Sequence, residues 1–320
     1  MKLTIVTFLF SFNAVLLIIK CQLCGVNKNF ISWVIFITLA VIWGSSFILM
    51  KIGLDNHLSP YQVAALRIVS AGIVLLPTMI KYIRRIPLNK IFIVFMSGFL
   101  GSLLPSFLFC MAEKGIDSSL AGTLNCLTPI FVIITGALFF KTQTSASKVV
   151  GIVIALIGSV LLLISKGHMQ ESQHLLYVSF VVLATISYAI NVNLVSRHLL
   201  NLTSLHIAAV ALTLNAIPAL LVLVFTGYFS LPLTSPNYLL ATGAASLLGI
   251  AGTAVATILF YMLVKRAGGL FASMVTYGIP FIAIGWGILY DEIFGWKQIA
   301  CLIIILFGVY WGNRKVVKTT

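Results

Sequence analysis

Apolar runs of about twenty residues, the length a helix needs to cross a bilayer, follow one another along most of this chain, and that recurrence constrains its fold more than any motif. At about 1.5 Å of rise per residue such a run spans the roughly 30 Å of hydrocarbon in a membrane. Of the 320 residues, 61% are hydrophobic and 8% charged, and mean hydropathy is +1.14. Ordinary soluble domains carry about 25% charged residues, so this chain has lipid as its main solvent. The expected fold class is an all-α integral membrane protein, multi-pass, with short loops and no soluble domain. Any chemistry must then take place between helices.

Apolar runs bounded by charged or turn-forming residues predict ten transmembrane helices, over 31–51, 61–80, 89–111, 119–140, 146–165, 173–195, 204–226, 238–262, 270–290 and 297–313. Ser59-Pro60, Ile86-Pro87, Leu231-Pro232 and Ser235-Pro236 fall just before predicted starts. The loops supply a check, because Lys and Arg collect on the cytoplasmic side of the membrane. Alternate loops and ends divide these residues 14 against 4, leaving aside Lys2 and Arg67, so both ends of the ten-helix core are expected in the cytoplasm. A cytoplasmic membrane fits this reading. The formal net charge of +14 is explained by the same rule. No basic surface patch gathers these charges, so no nucleic acid partner is expected; membrane lipid is.

The five cysteines show neither a disulfide framework nor paired metal-ligand clusters. Cys21-Gln-Leu-Cys24 is a lone CxxC, while Cys110, Cys126 and Cys301 sit in apolar runs as packing residues. No cofactor or metal is expected. Residues 1–30 form a separate N-terminal extension, apolar from Leu3 to Ile19. A signal-like segment, an eleventh helix and translation upstream of the true start all fit it.

The chain also repeats itself. Leu108-Phe109-Cys110-Met111 matches Leu259-Phe260-Tyr261-Met262 at an offset of 151, and in the same register Lys114 meets Lys265, Ala121 meets Ala272, Pro129 meets Pro280 and Gly136 meets Gly287. Gly158 meets Gly308 after a one-residue slip, and Ile42-Trp43-Gly44-Ser45 loosely matches Ser187-Tyr188-Ala189-Ile190. The expected organisation is a first repeat over 31–165, a second over 166–313, and a basic cytoplasmic tail at 314–320. Five helices per copy is an odd number, so the second copy must enter the membrane upside down. Two inverted five-helix repeats enclose a cavity that either side can reach, the basis of alternating access.

Several motifs in this frame resemble the EamA family of the drug/metabolite transporter superfamily. They are Ile42-Trp43-Gly44-Ser45-Ser46-Phe47, Ala65-Leu66-Arg67, Ser118-Ser119-Leu120-Ala121 leading to Leu127-Thr128-Pro129, Leu270-Phe271-Ala272-Ser273 leading to Pro280, and Asp291-Glu292. The resemblance covers about 31–313. It departs from the family pattern at Phe140-Lys141, where many members carry a glutamate that Glu292 retains in the second half. What the resemblance implies is a carrier of amino acids, metabolites, nucleotide sugars or drugs, frequently an exporter, working on a small-molecule solute.

Candidate binding residues are polar or aromatic groups at membrane depth. Arg67 is the one charge well inside a predicted span; at a cost of about 2.5–3.5 kcal/mol there, it needs a partner. A substrate carboxylate or phosphate is one reading, and helix carbonyls or a loop acid such as Asp55 is the other. Trp43 and Ser46 in the first span correspond to Tyr188 and Asn191 in the sixth and would line an apolar pocket or simply pack. Asn125 beside Pro129, and Thr276 and Tyr277 beside Pro280, place polar groups next to a mid-span proline in each half, as kinks or gates. Tyr261 and Asn215 are weaker candidates. Gly308-Val-Tyr-Trp-Gly312 lets another helix approach closely, within the fold or in a homodimer.

The histidines lie in loops or at a helix start, giving no buried proton relay, and Asn201-Leu-Thr203 is a sequon on the wrong side. Paired carboxylates, HExxH or a serine with a base at depth would mark a membrane enzyme, and none is visible. A membrane enzyme or a non-catalytic assembly subunit is therefore the competing class.

Overall fold

The computed structural model describes residues 28–141, 146–165, 172–289 and 295–313, and among them all regular structure is helical. The N-terminal segment before Lys28, with Cys21 and Cys24, lies outside the described residues, as do Asp291, Glu292, His168 and the basic tail. Among the described residues seven helices are long and apolar enough to cross a membrane: Asn29–Asp55, Pro60–Arg85, Leu88–Ala112, Leu120–Phe140, Leu175–His198, Ser204–Phe225 and Pro236–Ala267. The other three predicted spans coincide with helices Ala146–Ser165, the pair Gly269–Ser273 and Ile279–Leu289, and Trp296–Asn313. Side chains on the outer surface are those lipid would solvate, with Ile73, Ile80, Phe92, Ile217, Phe225, Leu239 and Ile303 all exposed.

The helices are named here in chain order: α1 (Lys28–Gly44), α2 (Ser46–Asp55), α3 (Pro60–Tyr82), α4 (Leu88–Gly98), α5 (Leu104–Ala112), α6 (Ser118–Leu124), α7 (Thr128–Phe140), α8 (Ala146–Ser165), α9 (Ser172–His198), α10 (Ser204–Phe225), α11 (Pro236–Leu247), α12 (Ala256–Ala267), α13 (Gly269–Ser273), α14 (Ile279–Leu289) and α15 (Trp296–Asn313). Local chemistry sets several starts. Ser59 caps α3 in a reciprocal box with Gln62, and Pro60 takes the first turn, where its missing N–H is no loss. Thr203 accepts from the His206 backbone N–H at the start of α10. Gly268, at φ +88°, turns the chain from α12 into α13, a conformation that a β-carbon would disfavour.

Three departures from regular helix matter for the site. The first predicted span breaks at Ser45, and a hydrogen bond from the Trp286 indole to the Ser45 hydroxyl (2.9 Å) ties the break to α14. The third and eighth spans each carry a π-helical stretch, Phe99–Leu103 between α4 and α5 and Leu248–Val255 between α11 and α12. Pro105 explains the first, since it cannot donate into the ladder; the second has no proline and lies on the small-residue run Gly249 to Ala254, where another helix comes close. The fourth and ninth spans are interrupted by 3-10 turns at Asn125–Leu127 and Met274–Tyr277. Each turn falls just before a proline at which a mid-span kink was expected, Pro129 and Pro280. Both prolines sit in the first turn of a new helix, where no backbone donor is needed.

Close approaches recur in matched pairs. Gly158 of α8 packs on Ile305 of α15, and Gly308 of α15 packs on Ala155 of α8. As the residue number rises on one helix its partner's falls, so the two run antiparallel. Gly308 therefore serves a contact within the fold. Gly98 packs on Asn215 and Ala211 of α10, and Gly249 on Ser70 and the Arg67 carbonyl of α3. Gly72 brings α3 against Ala216 of α10, where the Thr213 hydroxyl donates to the Gly72 carbonyl (3.3 Å). The loops that charge parity assigns to one side also gather at one end. Lys90 donates to the His198 carbonyl (3.1 Å), and Tyr82 stacks on His206 with ring centroids 4.3 Å apart beneath the Arg85 guanidinium.

Candidate functional site

Between these helices lies a cavity whose walls come from α1, α2, α3, α5, α7, α9, α12 and α13 and the irregular turns joining them. Eight of the sequence candidates line it: Trp43, Ser46, Arg67, Asn125, Tyr188, Asn191, Tyr261 and Thr276. Tyr277 does not. It is buried in the hydrophobic core beside them, and Asn215 is likewise spent on packing, donating to the Phe95 and Ala211 carbonyls at 3.1 and 2.8 Å.

Aromatic rings line it in two pairs. Trp43 tilts over Phe260 with centroids 5.2 Å apart, and its indole N–H donates to the Gly252 carbonyl (3.1 Å). Elsewhere in the lining Tyr188 stacks on Phe109 at 6.0 Å. The pairs are equivalents, because Phe109 and Phe260 stand 151 residues apart and Trp43 and Tyr188 occupy corresponding spans. The glycines behind them match too. A β-carbon at Gly101 would run into the Asn191 amide, and one at Gly252 would reach the Ser46 hydroxyl at 2.8 Å. Each half thus supplies the glycine that receives the other half's polar side chain.

Polar groups complete the lining. Arg67 is 6% exposed; its Nε–H donates to the Thr253 hydroxyl at 2.7 Å and its Nη1 lies 3.9 Å from the Met50 sulfur. Its partner is therefore a threonine of the opposite half, not Asp55. None of the lining residues is acidic. The Thr128 hydroxyl donates to Asn125 Oδ1 (3.0 Å), and the Cys126 thiol lies 3.5 Å from the Thr276 carbonyl, the group left free by Pro280. Asn191 Oδ1 is buried without a hydrogen-bond partner. An aromatic box with one cation, several hydroxyls and a spare carbonyl can hold a small organic molecule by its faces and orient it by its polar end.

Sequence reasoning missed Phe109, Phe260, Gly101, Gly252 and Thr253, although all five lie in the repeated third and eighth spans whose register it had established. The repeat was the available signal. Phe47, Met50 and Val192 are ordinary apolar residues and carry none.

Profile comparison decides the affiliation: the EamA-like transporter family matches twice, over residues 30–164 and 175–313. The chain belongs to the EamA-like transporter family. It is similar to an uncharacterized transporter of Archaeoglobus fulgidus, 27% identical over 288 residues covering 88% of this chain and 99% of that one. A probable amino-acid metabolite efflux pump of Escherichia coli is 28% identical over 148 residues, 46% of each chain. A solved crystal structure superposes on this EamA-like transporter with a TM-score of 0.62 at 16% identity, covering 88% of this chain and 96% of that chain, which supports the fold. The EamA-like chain is thus a multi-pass membrane transporter.

Proposed function

We propose that this transporter moves small organic solutes of the amino acid, metabolite or drug class by alternating access, in the export direction. In this reading its ten helical spans form two inverted five-helix halves, with both ends of the core in the cytoplasm. The observation that carries it is the matched construction of the cavity: Trp43 on Phe260 and Tyr188 on Phe109, each pair joining one half to the other. If the halves are equivalent, moving one against the other opens one wall as it closes its counterpart, at similar energy.

Two further features favour the inverted arrangement. The antiparallel exchange of Gly158 with Ile305 and Ala155 with Gly308 is what a two-fold axis perpendicular to the helices generates, and such an axis lies in the membrane plane. The π-helical stretches and the 3-10 turns also recur at equivalent places in both halves, giving each a flexible joint beside the cavity. The name of the Escherichia coli relative is the support for export and for the metabolite class.

The test is a thermal-shift screen of the purified protein against amino acids, sugars, nucleotides and cationic drugs, followed by flux of each hit into proteoliposomes. Stabilisation with flux is expected, since a ligand raises stability by mass action. Chemical conversion of a hit without flux would overturn the carrier reading in favour of a membrane enzyme.

A further inference from the structure

The cavity holds one buried cation and no acid, and this asymmetry has mechanistic weight. The Arg67 guanidinium is in contact with the Thr253 hydroxyl and the Met50 sulfur, neither of which carries a charge. At the offset that pairs Ser46 with Asn191, the equivalent place in the second half is Leu212, and the acid whose charge acts together with that of Arg67 on the Cys110 thiol, Glu113, lies outside the cavity lining. A buried charge without a counter-charge is costly, and the cost rises as water is shut out.

Resting on the carrier reading of the cavity, we propose that the solute is an organic monoanion that acts as the counter-ion of Arg67, and that the protein works as an exchanger of such anions. Reorientation passes through a state in which neither side's water reaches the cavity. With an anion on Arg67 that state contains a neutral pair; without one it contains a lone guanidinium. The loaded protein therefore crosses faster than the unloaded one, and net export of one anion is driven by return of another. Solute is held by its carboxylate on the Arg67 side and by its apolar body between the rings of Trp43, Phe260, Tyr188 and Phe109. A cation of the same size meets the guanidinium with no acid to offset it.

Three probes with one skeleton separate the charge from the shape: N-acetylphenylalanine (anion), N-acetylphenylalaninamide (neutral) and phenylalaninamide (cation). In thermal-shift measurements on the full chain the anion is expected to stabilise the protein and the cation to have no effect. Uptake of labelled N-acetylphenylalanine into proteoliposomes is expected to rise about tenfold or more when the lumen is preloaded with the same anion, and not with the neutral amide. Arg67→Gln should lose the anion preference and remove the dependence on preloading; Thr253→Val, which keeps the charge, should weaken binding while retaining that dependence. Wild-type uptake equal with and without preloading would overturn the exchange mechanism, and equal stabilisation by anion and cation would overturn the substrate class. Failure of all three probes would also overturn the proposed anion class, while a transported hit from the wider screen would leave the carrier reading standing.

Discussion

The Arg67 Nε–H donates to the Thr253 hydroxyl across 2.7 Å, joining a charged side chain of α3 to the π-helical stretch between α11 and α12. It is the direct link between the one cation of the cavity and the opposite half of the chain. Hydrogen bonds between helices in membranes are worth about 0.6–1.7 kcal/mol, and those to charged groups in proteins about 1.5–3 kcal/mol. Thr253→Val is therefore expected to cost about 1 kcal/mol of ligand affinity, roughly a fivefold to tenfold rise in Kd, with Thr253→Ser close to wild type. Titration of intrinsic fluorescence in the purified variants, with Trp43 in the cavity wall as reporter, measures it.

Trp43 and Tyr277 should behave differently although both are aromatic and close together. Trp43 lines the cavity, and Tyr277 is buried in the hydrophobic core outside its lining. Trp43→Ala removes a ligand contact together with the packing on Phe260 and the hydrogen bond to the Gly252 carbonyl, so ligand-induced stabilisation should disappear and the free protein should also melt lower. Tyr277→Ala leaves a cavity among packed side chains and should cost about 3–5 kcal/mol of stability, with ligand affinity largely kept in the fraction that folds. Thermal melts with and without ligand distinguish the two.

Helix positions were legible in the sequence because lipid permits little else: apolar runs, prolines and loop charges gave spans within a few residues of the helices at Pro60–Tyr82, Ala146–Ser165 and Ser204–Phe225. The breaks inside spans were not. Ser45 interrupts a stretch with no charge and no proline, so hydropathy runs straight through it, whereas the turns at Asn125–Leu127 and Met274–Tyr277 had a signal only in the prolines that follow them, Pro129 and Pro280. At the site, the polar candidates were legible because a polar group at depth stands out against apolar neighbours. The aromatic partners Phe109 and Phe260 were not, since a phenylalanine in a membrane span has the same composition signal whether it faces lipid, core or solute. Their role comes from which helices meet, and only the internal repeat carried a trace of that.

Gly101 and Gly252 are expected to tolerate no side chain without loss of function. A β-carbon at Gly101 collides with the Asn191 amide, and one at Gly252 lies 2.8 Å from the Ser46 hydroxyl. Overpacking of this kind costs about 1–3 kcal/mol, and here it also displaces a cavity-lining group. Gly101→Ala should lower transport more than it lowers expression, and Gly101→Ala with Asn191→Ala should recover stability without recovering ligand binding. A double-mutant cycle on melting temperature and binding resolves the coupling.

Surface labelling can test the orientation inferred from charge, because the described cysteines give it a clean background. Cys110, Cys126 and Cys301 are all buried, so a membrane-impermeant maleimide should find little to react with once Cys21 and Cys24 are replaced by serine. Arg84 is exposed at the end where Lys90 meets the His198 carbonyl, the end that loop charge assigns to the cytoplasm. Lys114 is exposed in the loop after α5, which the same parity assigns to the outside. In intact cells Lys114→Cys should label at once and Arg84→Cys only after permeabilisation. The reverse pattern would turn the protein over in the membrane while leaving every helix contact unchanged, and equal labelling of both from outside would break the parity on which the inverted repeat depends.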